Sequence, residues 1–240
     1  MKWLERKWLV MAVMAMLIYA IATTTVLADP IGTNVTVLST GRGTALGNGS
    51  INAQAGNVSA LNINDTHITD NWAGFYGNVT GNIILESAAG DTFYDWQNAS
   101  PGGEIFAARA ASIDWSSIAC AVQANVTAEE TALSITTADR DSINNTFHEN
   151  MSSGTHNAFS VGTTDFIANA CVWRTNGYVS GAAQTTIFDM VMLNSVSNAV
   201  YTAILNQDQA GFDGSDSDFQ LLVPVTTEGT EAYYFWAELS

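Results

Sequence analysis

Alternation of apolar and polar residues with a period of two is the feature that most constrains this chain. In Asn78-Val79-Thr80-Gly81-Asn82-Ile83-Ile84-Leu85-Glu86, Val79, Ile83 and Leu85 are apolar while Asn78, Thr80, Asn82 and Glu86 are polar. Successive side chains of a strand point to opposite faces, so this pattern describes a half-buried strand with one wet face. Comparable runs are Asn34 to Ser39, Thr92 to Trp96, Glu104 to Ile113, Phe166 to Trp173, Thr186 to Leu193, Ala199 to Leu205, Phe219 to Val225 and Ala232 to Leu239. Gly90-Asp91, Pro101-Gly102-Gly103, Asn176-Gly177 and Asp213-Gly214 punctuate them with turn chemistry.

Strands spaced in this way predict a mainly β fold, an antiparallel β-sandwich of the immunoglobulin-like or jelly-roll-like kind. Phe166 to Trp173 and Phe219 to Val225 are apolar on both faces and are expected at the centre. Helix is expected only in the middle, as one or two short segments in a crossover on the flank of the sheet. Thr127-Ala128-Glu129-Glu130 has capping-box spacing ahead of Leu133 and Ile135, and Ile143 pairs with Phe147 at i,i+4.

The N-terminus carries a different signal. Lys2, Arg6 and Lys7 precede the apolar run Leu9 to Ala22, and Val26-Leu27-Ala28 closes it with small residues. A basic start, an apolar stretch and a small-residue site make an export signal, cleaved after Ala28. An uncleaved signal-anchor is the rival reading, because the charge-free stretch from Trp8 to Ala28 is long enough to span a bilayer. Both place residue 30 onward outside the cell. The expected organisation is a signal peptide at 1–28 and one exported domain at 29–240, of which 29–56 is a flexible N-terminal segment.

From Asp29 onward the chain has four arginines, no lysine and 22 carboxylates, a formal charge of −18. Such a surface repels phosphate backbones and anionic membranes, which argues against nucleic acid and, once the leader is gone, against membrane as partners. Hydrophobic residues reach 47%, enough for a folded core rather than a disordered chain. Cys120 and Cys171 both lie in the exported part, and an even count in an oxidising compartment predicts one disulfide.

Asn34, Asn48, Asn57, Asn64, Asn78, Asn98, Asn125, Asn144 and Asn150 each begin an Asn-x-Ser/Thr acceptor, and all precede residue 151. In an exported chain they predict a hydrating glycan coat that leaves the C-terminal third bare. The lysine-free, Thr/Asn-rich, acceptor-dense composition of 29–240 resembles that of archaeal surface glycoproteins. Asp208, Asp213, Asp216 and Asp218 crowd one loop around Gly214 and are the candidate ligands for a hard cation such as calcium, without EF-hand spacing. No other cofactor is expected. Aromatics such as Trp72, Phe75, Tyr94 and Trp96 suit either a core or a sugar-stacking platform.

Catalysis has little to stand on. His67, His148 and His156 fall in no HExxH, no GxSxG accompanies them, and Asp95 with Asp114 is a pairing any acidic protein offers. No catalytic residue is assigned and the chain is not expected to be an enzyme. The expectation is a secreted, cell-surface structural or interaction glycoprotein, self-assembling through its N-terminal strand or meeting other surface proteins. A carbohydrate- or calcium-binding module is the alternative, and a secreted hydrolase comes behind it.

Overall fold

A computed structural model describes residues 29–239 apart from 45, 46, 48, 65, 99–101, 149–154, 185 and 228. The leader and its cleavage site up to Ala28 lie outside the described residues, as do the acceptors Asn48 and Asn150.

In chain order the strands are β1 (Ile31–Gly32), β2 (Trp72–Gly77), β3 (Gly81–Glu86), β4 (Thr92–Asn98), β5 (Gly103–Ala108), β6 (Ile118–Cys120), β7 (Phe159–Val161), β8 (Thr164–Phe166), β9 (Arg174–Asn176), β10 (Tyr178–Val179), β11 (Ala182–Ala183), β12 (Asp189–Ser195), β13 (Asn198–Ile204), β14 (Gln209–Ala210), β15 (Asp216–Ser217), β16 (Phe219–Pro224) and β17 (Tyr234–Leu239). Two helices, α1 (Gln123–Leu133) and α2 (Ile143–Thr146), fall between β6 and β7. The protein is mainly β and its sheets are antiparallel, with the helices in the middle of the chain.

The largest sheet runs β1-β17-β5-β13-β12-β6, and β9 also pairs with β12. Its central strands are apolar on both faces. On one face Ala107, Met190, Met192, Tyr201 and Ala203 pack against Val126 and Leu133 of α1, Ile143 and Phe147 around α2, and Leu221 and Val223 of β16. On the other, Phe106, Ala108, Val191, Leu193 and Val200 meet Trp115, Ile118 and the β7–β8 hairpin through Phe159, Val161 and Phe166. The runs Thr186 to Leu193 and Ala199 to Leu205 therefore have no wet face, because β16 with the helices covers one side and the hairpin the other. β16 itself pairs with β2 as a two-stranded layer over the main sheet.

Four local expectations change in the folded chain. Phe219 to Val225 is not a central strand: β16 pairs with β2 alone and is buried by lying over the main sheet. Phe166 to Trp173 is not a central strand: β8 ends at Phe166, and the chain turns through Asn169 at φ 63° before Cys171 and Trp173 enter the core. Asn169 holds that turn, its Oδ1 accepting from the His156 N–H at 2.9 Å and its own N–H donating to the His156 carbonyl at 3.1 Å. α1 starts four residues before Thr127, where the Asn125 Oδ1 accepts from the Val122 N–H at 2.8 Å. Glu129 and Glu130, expected near a helix start, are instead buried tethers. Glu129 takes a bidentate bond from Arg109 at 3.1 and 2.7 Å, while Glu130 accepts from the Asn144 N–H at 2.8 Å and the Thr137 hydroxyl at 2.6 Å. These bonds fasten α1 to the sheet and to α2. Finally, Asn34 to Ser39 forms no strand; β1, just before it, pairs with β17 for two residues only.

Among the described residues no helix is long and apolar enough to cross a membrane.

Candidate functional site

Among the described residues the N-terminal arm is held chiefly at its two ends. β1 is fixed by Ile31 opposite Ala237 and Gly32 opposite Trp236, and the Thr33 N–H donates to the Phe235 carbonyl at 3.2 Å. From there to Asn71 the described residues contain neither strand nor helix. Val35, Val37 and Leu38 are 54%, 70% and 92% exposed, so a β-prone segment stands in water with its aliphatic side chains uncovered. The arm is anchored again at its far end. Thr69 donates to Asp141 Oδ2 at 2.6 Å, Asn71 Nδ2 to Asp141 Oδ1 at 3.0 Å, and the Trp72 indole to the Asp141 carbonyl at 2.5 Å. Between the anchors, Arg42 meets Asp70 at 3.0 Å.

Along the first part of the arm runs an open groove walled by the arm itself, β2, the start of β3, β16 and β17. Phe75 and Phe235 line it in edge-on contact with ring centres 5.2 Å apart, and Tyr76 meets Phe212 at 4.7 Å. The β2 segment Trp-Ala-Gly-Phe-Tyr-Gly escaped the period-two reading because its two glycines erase the alternation. Its aromatic content was the remaining clue.

The β3–β4 hairpin carries a second apolar surface. Ile83 faces Trp96 and Leu85 faces Tyr94 across the ladder, so the four share one side. All four are at least half exposed, and the Tyr94 and Trp96 rings lie 4.5 Å apart. On this hairpin the aromatics are at the surface, whereas Trp115, Trp173 and Tyr201 belong to the core.

The acidic loop is occupied with its own backbone. Asp218 is buried, with Oδ2 accepting from the Val79 N–H at 2.7 Å and Oδ1 from the Asp208 N–H at 3.0 Å, which fastens this loop to the segment after β2. Asp213 Oδ1 takes the Ser215 N–H at 3.0 Å and hydroxyl at 2.6 Å, and these bonds hold its carboxyl below the usual range. Asp216 is exposed and lies opposite Ala210. Among the described residues no three or more of His, Cys, Asp and Glu group so as to hold a metal ion.

Cys120 and Cys171 are joined, with Cα atoms 5.1 Å apart. The bridge ties edge strand β6 to the loop before β9. Its surroundings contain a histidine with a structural use: the Cys171 N–H donates to His156 Nε2 at 3.0 Å, which leaves the ring proton on Nδ1 against the Asn157 carbonyl at 2.7 Å. Burial pushes the His156 pKa down and keeps the ring neutral. Asp114 caps the turn at Trp115–Ser117, its carboxylate accepting from the Ser116 and Ser117 hydroxyls at 2.6 and 2.8 Å. Asp95 lies on β4.

A pairing of a buried and a half-buried carboxyl was invisible to the sequence. Glu104 on β5 and Glu238 on β17 are direct cross-strand partners. Glu104 is 7% exposed, and burial, then the neighbouring Glu238 charge, push its pKa up to about 8. Glu238 Oε2 accepts from the Gly162 N–H at 2.8 Å.

Comparison with protein-family models, curated proteins and solved structures finds no significant match to this chain.

Proposed function

We propose that this chain is an exported cell-surface glycoprotein that serves as a structural subunit, joining copies of itself or other surface proteins through its N-terminal arm. The observation that carries the reading is the exposed, strandless segment Asn34–Ser39 in an otherwise strand-forming chain. Such a segment gains its hydrogen bonds and buries its valines only by pairing with a sheet edge, and β-augmentation supplies one. The layering of β2–β16 over the main sheet supports an open sandwich as the scaffold. With a formal charge of −18 and no lysine, the surface is suited to staying hydrated outside the cell. No catalytic step enters this reading.

Deleting Asn34 to Gly41 is expected to abolish oligomers of the mature protein while moving its melting temperature by less than about 2 °C, since the removed residues are exposed and their backbone pairs with no strand. Light scattering and a thermal melt on the same samples check this. Oligomers that survive the deletion, or a wild-type protein that stays monomeric at high concentration, would remove the proposal.

Glycosylation belongs to the same reading, and the acceptors differ in access. Asn34, Asn57, Asn64 and Asn78 are exposed, whereas Asn125 and Asn144 are half-buried and hold the helix region through bonds from the Val122 N–H and from Gln123. Glycopeptide mass spectrometry of protein from its native host is therefore expected to find the first four more fully occupied than Asn125 and Asn144; the reverse order would contradict the coat described here.

Carbohydrate binding is favoured as a second reading by one observation, the exposed Tyr94–Trp96 pair on the hairpin.

A further inference from the structure

Resting on the self-assembly reading, we propose that the acceptor for the arm is the outer edge of β2 in a second copy of this chain, where Val35–Ser39 of the donor adds as a further strand. β2 pairs with β16 on one side alone. Half of its N–H and C=O groups point the other way, and among the described residues no backbone hydrogen bond reaches them from that side. It is six residues long and carries neither charge nor proline, two of the devices that keep an edge strand unpaired.

Shape and charge agree on a peptide occupant for the groove beside this edge. Its Phe75 and Phe235 rings offer an apolar wall to alternate side chains of an extended segment, and Val35 and Val37 are alternate residues. Two copies each carrying a formal charge of −18 repel, so contact is least costly where neither partner brings a carboxylate. Val35–Ser39 and Trp72–Gly77 are both uncharged. Asn34 and Asn78 stand at the ends of the donor segment and the acceptor edge, so glycans there flank the joint.

A chain's own arm lines the groove but makes no backbone bond to β2, and it is held on the β17 side by the Thr33–Phe235 bond. Donor and acceptor are different patches of one surface, so two copies either close by reciprocal exchange into a dimer or repeat head-to-tail into a ring or an open filament.

The test uses the mature protein with its native disulfide. A Val37→Cys variant is mixed with an Ala73→Cys, Phe75→Cys or Tyr76→Cys variant, and separately with Phe93→Cys on the rival β3–β4 hairpin, under mild oxidation. Mass spectrometry of the joined peptides is expected to show at least a tenfold excess of the β2 link over the Phe93 link. Three results would overturn the proposal: a dominant Phe93 link; joining within one chain of a Val37→Cys/Phe75→Cys double variant while the mixed single variants stay unlinked; or oligomers that depend on the arm yet give no β2 link. The last outcome leaves the self-assembly reading standing, whereas absence of any oligomer removes both.

Discussion

Replacing Cys120 and Cys171 together with alanine is expected to destabilise the protein by about 4 kcal/mol. The bridge spans a sequence separation of 51 residues. Closing a loop of that length removes chain entropy from the unfolded state worth about 4 kcal/mol at 25 °C. The position adds to the effect: β6 is an edge strand held to β12 over three residue pairs, and the loop it is tied to has no ladder of its own. Cys171 is fully buried, and its N–H is the donor that sets the His156 tautomer. For a domain of this size the loss corresponds to a fall in melting temperature of about 8–16 °C. Thermal unfolding of the double variant followed by circular dichroism measures it, with the reduced wild type as a second, substitution-free comparison. A fall of less than about 2 °C in both would show that packing alone holds the β6 edge.

The second large effect is a pH dependence set by Glu104. Its folded pKa, about 8, lies above its unfolded value near 4.5. The folded state therefore holds a proton that the unfolded state gives up. The stability this contributes is fully present below pH 4.5 and declines as pH rises toward about 8, where Glu104 ionises beside Glu238. Glu104→Gln keeps the shape and an acceptor oxygen but cannot ionise. The variant is expected to match the wild type near pH 4.5 and to exceed it by about 2–4 kcal/mol near pH 8. That is a gain of about 4–16 °C in melting temperature at the alkaline end. Melts of both proteins across pH 4.5 to 9 decide the matter; two parallel curves would mean that Glu104 is ionised, and accommodated, throughout.

Much of the secondary structure was legible because strand periodicity is local. Gly81–Glu86, Thr92–Asn98 and Tyr234–Leu239 fall within one to three residues of the alternating runs that announced them. The turn at Asp213-Gly214 was equally clear, since Gly214 takes φ 83°, a conformation glycine adopts without strain. The Cys120–Cys171 pairing followed from there being two cysteines. β2 was not legible, because its glycines hide the period and its stability comes from β16, far along the chain. Asp218 shows the same limit for the site. As sequence it is one of four aspartates that suit a cation; in the fold its two oxygens take N–H groups from Val79 and Asp208.

What the sequence by itself determined is the β class, the position of the helices, the disulfide and the acidic, lysine-free composition from Asp29 onward, because each depends on residue type and near-neighbour spacing. Tertiary structure alone decided which strands lie buried on both faces, that Glu104 meets Glu238, and that Val35 to Leu38 are left without a partner. Those outcomes depend on which distant segments cover which face. A segment such as Asn34–Ser39 has the same alternation whether a sheet edge receives it or water does, so its local pattern cannot distinguish the two.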